Sequence, residues 1–159
     1  MFRTGIGFDA HALAEDRHLV IGGVSIPHSR GLLGHSDADV LVHAVMDAIL
    51  GALALGDIGE HFPDTEDKFE GVDSLVLLSR VQKMIEDKGY SCENLDSIII
   101  AEKPKLKSNI GQMRENLASV LKISIDQLSI KATTTEHMGF TGREEGIAAQ
   151  AIVLLKSNK

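Results

Sequence analysis

Cysteine is almost missing: Cys92 stands alone in a chain of 159 residues. No intrachain disulfide can form, and a closed zinc site built from several thiolates is excluded. Cys92 itself is expected to be a small side chain near the end of a helix. A reducing compartment suits such a chain. Tryptophan is absent and aromatic residues make up 4% of the sequence, so an aromatic platform for stacking nucleic-acid bases is not expected. Positive charge is in deficit: Lys and Arg number 16 against 23 Asp and Glu, for a formal net charge of -7. That balance argues against broad binding to nucleic acid or to an anionic membrane. It leaves room for a local basic site that takes a phosphorylated small molecule. No apolar run approaches the ~18 residues that span a bilayer. The first residues, Met1 to Gly5, lack the apolar segment of a signal peptide, which points to a bacterial cytoplasm or, if a transit peptide was removed, a plastid-type organelle. Linkers, repeats and low-complexity segments are missing too.

What is present is an ordinary globular composition, 43% apolar and 25% charged. A chain of this length fits one domain, residues 1–159, and buries about 70% of its unfolded surface. Phe2 to His11 reads as a strand leading into an irregular turn. His18 to Pro27 reads as two short strands around Gly22-Gly23. A helix is expected from Ser36 as N-cap, with Asp39 at the third position, to about Gly56. Asp57 to Glu70 is a polar loop. A second helix is expected over about 74–88, ended by Gly89, then a strand over 95–101 and a helix over 110–121. Leu128, Ile130 and Ala132 alternate as on a half-buried strand. Residues 135–145 form a loop, and 147–155 the last strand. The order β-β-β-α-α-β-α-β-β favours an α+β sandwich, one sheet with helices on one face. The sheet's second face then needs a cover, which a homo-oligomer would supply.

Candidate chemistry clusters in a few short strings. In Asp9-Ala10-His11, residues two apart on a strand point to the same side, about 6.6 Å apart along it. That arrangement suits two ligands of one metal ion. His43 lies within the first helix. Asp39 and Asp47, four residues either side, share its stripe and can hold its second ring nitrogen. Two histidines and a carboxylate match catalytic zinc sites, where three protein ligands leave a fourth position open. His35, just before the expected N-cap, is placed to meet an anion. Asp57-Ile58-Gly59 and Phe62-Pro63-Asp64-Thr65-Glu66 are either a loop around a polyol or phosphate, or plain turn chemistry. Lys105, in the Ala101 to Leu106 segment stiffened by Pro104, offers a point charge to a phosphate. Thr133-Thr134-Thr135-Glu136 carries hydroxyls and a carboxylate suited to a diphosphate and its magnesium, although threonine also favours strands. Arg143, in a glycine-flanked loop after Phe140, can clamp an oxyanion with its fork.

Taken in order, Gly7-Phe8-Asp9-Ala10-His11, Ile21-Gly22-Gly23, Gly31 to Asp39, Leu55 to Gly59, Phe62 to Thr65, and Lys131 to Glu136 through Gly139 to Arg143 resemble the 2-C-methyl-D-erythritol 2,4-cyclodiphosphate synthases of the non-mevalonate pathway. The resemblance runs from about residue 3 to residue 155. It implies an α+β sandwich of a mixed sheet with helices on one face, assembled as a homotrimer with active sites between subunits. It implies a zinc ion per site on Asp9, His11 and His43, and a second ion, Mg2+ or Mn2+, on the substrate diphosphate beside Glu136. His35 and Thr134 match residues assigned to stabilising the transition state. Ser36, Asp57, Ile58, Gly59, Phe62, Pro63, Asp64, Thr65 and Glu66 match substrate contacts around the methylerythritol phosphate. Ala101, Pro104, Lys105, Leu106, Thr133 and Thr135 match the cytidine and diphosphate pocket, with Phe140 and Arg143 as further contacts.

The implied reaction joins the substrate's own 2-phosphate to its β-phosphorus and releases CMP, so no protein nucleophile is required. Two other readings stay open, the first on the residue types and the second on what the resemblance implies. One is a zinc-dependent phosphohydrolase. The other is a trimer that binds an isoprenoid diphosphate in a central cavity near Arg143 and Glu145.

Overall fold

A computed structural model describes residues 1–158 of the chain. Its strands are β1 (Phe2–Ala14), β2 (Leu19–Ile21), β3 (Val24–Ile26), β4 (Gly31–Leu32), β5 (Tyr90–Ile100), β6 (Leu128–Thr133) and β7 (Gly146–Ser157). Its helices are α1 (Val40–Ala52), α2 (Ile58–His61), α3 (Ser74–Asp87), α4 (Ile110–Leu121) and α5 (Gly139–Gly142). The main sheet has the order β4-β1-β7-β5-β6, and β2-β3 form a separate ribbon. β1 and β5 flank β7 as antiparallel neighbours, while β5 and β6 run parallel. The sheet is therefore mixed, as expected, and α1 lies across its centre.

The strand period decides which residues meet α1. Alternate positions of β1 point to one side. Gly5 and Gly7 lie against the helix so closely that a Cβ would come within 1.9 Å of the Ala48 and Ala44 carbonyl oxygens, respectively. The next two positions of that face are Asp9 and His11. α1 is buried almost all round, from Val40 and Leu41 through Ile49 and Leu50, because the sheet covers one side and the remaining structure the other. α3 packs against α1 and buries Leu77, Leu78, Val81 and Ile85, while α4 packs on α3 and β6 and buries Met113, Leu117 and Leu121.

Among the described residues, no element covers the opposite face of the sheet. Phe2, Ile6, Phe8 and Ile152 are all more than half exposed there. The sequence pattern anticipated this uncovered face.

Several local expectations are corrected. The helix begins at Val40, and Asp39, not Ser36, is its N-cap: the Asp39 carboxylate accepts from Val42 N. The same buried carboxylate accepts from Gly22 N and Gly23 N at 2.9 and 2.7 Å, tying the β2-β3 turn to the helix. A Gly-Gly turn offers two backbone donors that only a buried acceptor can satisfy, and Asp39 supplies it. Its burial pushes the carboxyl up to about 6 against the pull of these donors. The expected 57–70 loop contains the turn of helix α2, capped by Asp57, and a short 3-10 turn at Asp67–Phe69. Cys92 lies in β5 rather than near a helix end, where burial pushes its thiol up to about 12. Ala132 is exposed although Leu128 and Ile130 are buried, because the end of β6 lines a cavity.

Candidate metal centre and its cavity

β1 delivers Asp9 and His11, and α1 delivers His43, to one point. His11 Nε2 lies 2.8 Å from Asp9 Oδ2. His43 Nδ1 lies 3.1 Å from the same oxygen and 3.1 Å from His11 Nε2. The three donor atoms all fall within 4.8 Å of one another, which is the compactness a single ion requires. His11 Nδ1 lies 2.9 Å from the carbonyl of Leu33. A carbonyl only accepts, so this nitrogen carries the hydrogen, and in the neutral ring Nε2 is a free lone pair. A carboxylate oxygen and imidazole lone pairs aimed together are a donor set that a divalent cation fits.

When no ion is bound, a ring hydrogen facing Asp9 can stand where the ion would. Burial pushes the Asp9 carboxyl up, but hydrogen bonds and charge from His11 and His43 outweigh it and hold the carboxyl well below the usual carboxylate range. Burial lowers the proton affinity of His11, but the hydrogen bond and charge of Asp9 raise it above the ordinary imidazole value.

These ligands sit in a cavity of about 400 Å³. Of the expected site residues, His35, Ser36, Ile58, Gly59, Phe62, Pro63 and Asp64 line it with them. Met46, Phe69 and Leu77 add apolar walls that the residue types alone did not mark. Asp57 lies at the edge, its carboxylate capping α2 at Glu60 N. Glu66 turns its carboxylate to Lys68 and offers its carbonyl to His35 Nε2 at 3.3 Å. Thr65 is absent from the lining. Because the helix starts late, His35 stands several residues before its N-terminus and does not meet the backbone donors there.

The proposed helical stripe around His43 does not hold. Asp39 is occupied by backbone donors, and Asp47 accepts from Ile58 N at 2.8 Å. His43 Nε2 instead meets two hydroxyls, Ser36 Oγ at 3.1 Å and Ser74 Oγ at 3.0 Å. Ser74 had read only as a helix start, and nothing in the local sequence connects it with residue 43.

The remaining expected residues gather elsewhere. Ala101, Pro104, Lys105, Leu106, Thr133 and Thr134 line a second cavity of about 340 Å³, with Lys107 and Ala132. Thr134 Oγ1 donates to Glu136 Oε1 at 2.9 Å. Thr135 Oγ1 donates to the Met138 carbonyl and meets buried Thr141. Phe140 and Arg143 lie in or beside α5, on neither cavity lining. The Arg143 guanidinium is held two-point by Glu145 at 2.8 and 3.1 Å, so its fork already grips a carboxylate. Within one chain, then, the metal-type donors and the threonine-lysine segment belong to two separate cavities.

An α+β domain with an Asp-x-His strand beneath a histidine-bearing helix defines a class of protein with a compact metal-type site. More narrowly, the family model of the YgbB family matches residues 2–156, and the chain belongs to that family. It is 59% identical over 155 residues to a 2-C-methyl-D-erythritol 2,4-cyclodiphosphate synthase of Desulfitobacterium hafniense, covering 98% of each chain. The structure matches the bifunctional IspDF from Campylobacter jejuni with TM-score 0.95 and 44% identity, over 99% of this chain and 42% of that one. It also matches a CDP complex of IspF from Plasmodium falciparum with TM-score 0.87 and 34% identity, over 99% and 97%.

Proposed function

We propose that this protein converts 4-diphosphocytidyl-2-C-methyl-D-erythritol 2-phosphate into 2-C-methyl-D-erythritol 2,4-cyclodiphosphate, releasing CMP, in the non-mevalonate isoprenoid pathway. The observation that carries the reading is the convergence of Asp9, His11 and His43 at one cavity. The activity named for the near-full-length relative supports it.

An oxygen of the 2-phosphate attacks the β-phosphorus, the bond to the CMP oxygen breaks, and CMP leaves with the electron pair. The demand on the protein is to bring two anionic phosphates together. Asp9, His11 and His43 would hold zinc, and Glu136 would help hold Mg2+ or Mn2+ on the diphosphate, and these ions would supply charge neutralisation. The chain's residues supply position. His35 and Ser36 flank the ligand set and reach the transferring group. Asp57 to Gly59 and Phe62 to Glu66 hold the methylerythritol phosphate against the apolar wall, folding the substrate towards ring closure. Ala101, Pro104, Lys105 and Leu106 with Thr133 receive the cytidine. Thr134 and Thr135 contact the diphosphate, with Phe140 and Arg143 beyond. Thr134, with His35, stabilises charge on the transferring phosphoryl group.

The two cavities have separate linings within one chain, and in this reading one active site takes them from adjacent chains. A homotrimer packed through the uncovered sheet face joins them, and the exposed Phe2, Ile6, Phe8 and Ile152 support that assembly. A cytoplasmic setting suits it. None of the described helices is long and apolar enough to cross a membrane, and the relative just described is bacterial.

The test is product analysis. Zinc-loaded protein with this substrate and magnesium should yield CMP and the cyclic diphosphate in equal amounts by mass spectrometry. CMP with an open, hydrolysed product would replace this reading with a phosphohydrolase.

A further inference from the structure

We infer that Asp37 and Ser74 form a positioning pair that fixes the hydrogen of His43 on Nε2 and so keeps Nδ1 free as a metal ligand; the metal role of His43 rests on the reading above. The inference follows from counting donors. Ser74 has one hydroxyl hydrogen. The Ser74 hydroxyl donates to Asp37 Oδ1, and Ser74 N donates to Asp37 Oδ2 at 3.0 Å. A carboxylate only accepts, so the hydroxyl hydrogen is committed to it. Ser74 Oγ lies 3.0 Å from His43 Nε2, and towards that nitrogen it has only lone pairs left. A stable contact at this distance requires an N–H on Nε2. The neutral ring then has its lone pair on Nδ1, among the Asp9 carboxylate and His11, a cluster of acceptors that a cation between them would satisfy.

Burial makes this pair decisive. Ser74 is fully buried and His43 nearly so, so water cannot replace a missing partner. Asp37 is fixed in turn. Its backbone N–H donates to the Val72 carbonyl, Gly71 N donates to the His35 carbonyl, and Asp39 N donates to Asp37 Oδ1. The 35–37 segment is thereby fastened to the chain entering α3. Ser36 Oγ, 3.1 Å from Nε2, does not fix the hydrogen by itself. It accepts from Ala38 N, but its own hydrogen is uncommitted and can point either way. Without the Ser74 acceptor, Ser36 can donate into Nε2 and send the ring hydrogen to Nδ1, where a metal must displace it. Partners that hold the far nitrogen of a metal-binding histidine typically change affinity by about 10- to 100-fold when removed.

The experiment reads the ring hydrogen and the metal separately. Nitrogen-15 NMR of the metal-free protein, at a pH where the ring is neutral, should place the His43 hydrogen on Nε2. In Ser74→Ala it should move towards Nδ1, and the zinc dissociation constant, by chelator competition, should rise about 10- to 100-fold. Ser74→Thr restores the hydroxyl and should recover both signals, whereas a packing role would not distinguish Ala from Thr in this way. Wild-type Nδ1–H, or Ser74→Ala with unchanged nitrogen shifts and zinc affinity, overturns the inference. Unchanged zinc binding in His43→Ala would instead overturn the metal reading, and the ring-hydrogen measurement would still decide the role of Ser74.

Discussion

Gly7 and Ala44 approach until no side-chain atom fits between them: a Cβ on Gly7 would lie 1.9 Å from the Ala44 carbonyl oxygen. Gly7 is two residues before Asp9 on β1, and Ala44 follows His43 on α1. The contact that sets the strand-to-helix distance is therefore adjacent to the ligands it brings together. Gly7→Ala must push α1 away from the sheet. A loss of about 3 kcal/mol is expected from overpacking, together with weaker zinc binding, because the spacing of Asp9 and His43 changes with it. Denaturant unfolding and chelator competition on the same variant check both. Wild-type stability would show that the helix shifts without cost.

Cys92 gives a second test, independent of the site. It is 4% exposed, and burial lifts its thiol from the ordinary 9.0 to about 12. Its folded-state pKa is raised, so the folded state holds a proton that the unfolded state releases first. The stability this gives is complete below about pH 9 and is lost as pH rises through about 12. At pH 9 the native protein should react with iodoacetamide at least about 100-fold more slowly than the unfolded chain, since the thiolate is the nucleophile. Equal rates would mean that Cys92 is not buried in solution.

Much of the site was legible because it follows short-range periods. Residues two apart on β1 share a face, so Asp9 and His11 were readable as a pair before any fold was known. The sheet's uncovered face was readable from the element order. The environment of His43 was not. The spacing of four residues selected Asp39 and Asp47, which is sound for an exposed helix face. α1 is buried nearly all round, and its neighbours come from β1 and the start of α3 instead. Asp39 was misread for a related reason, since its backbone donors Gly22 and Gly23 come from a turn earlier in the chain. The separation of the threonine-lysine cavity from the metal-type cavity is also a tertiary fact with no local signature.

Thr134 lies on that second cavity, half-buried, with its hydroxyl on Glu136 Oε1 at 2.9 Å. It touches none of the proposed zinc ligands in its own chain. For Thr134→Ala the expected result is a fall of about 100-fold in kcat, with zinc affinity and thermal stability unchanged. Steady-state kinetics beside a zinc titration separates these quantities. An unchanged kcat removes Thr134 from the reaction, and a loss of zinc together with kcat would place it in the metal centre.

The uncovered sheet face makes the last prediction, and it bears on why the two cavities are separate. Phe8 is 57% exposed and Ile6 62% exposed, on the face of β1 opposite α1. In a lone chain a charge at Phe8 costs little, because water already reaches it. Between chains, the same charge would be buried without a partner, at several kcal/mol per contact. Phe8→Asp should therefore keep its secondary structure and its zinc ligands but run as a monomer of 17.1 kDa by light scattering, where the wild type is expected at three times that mass. Its turnover should fall to background, since the segment with Lys105 and Thr134 would no longer face another chain's Asp9, His11 and His43. Full activity in a Phe8→Asp monomer would place both cavities' work within one chain and remove the reason for a trimer.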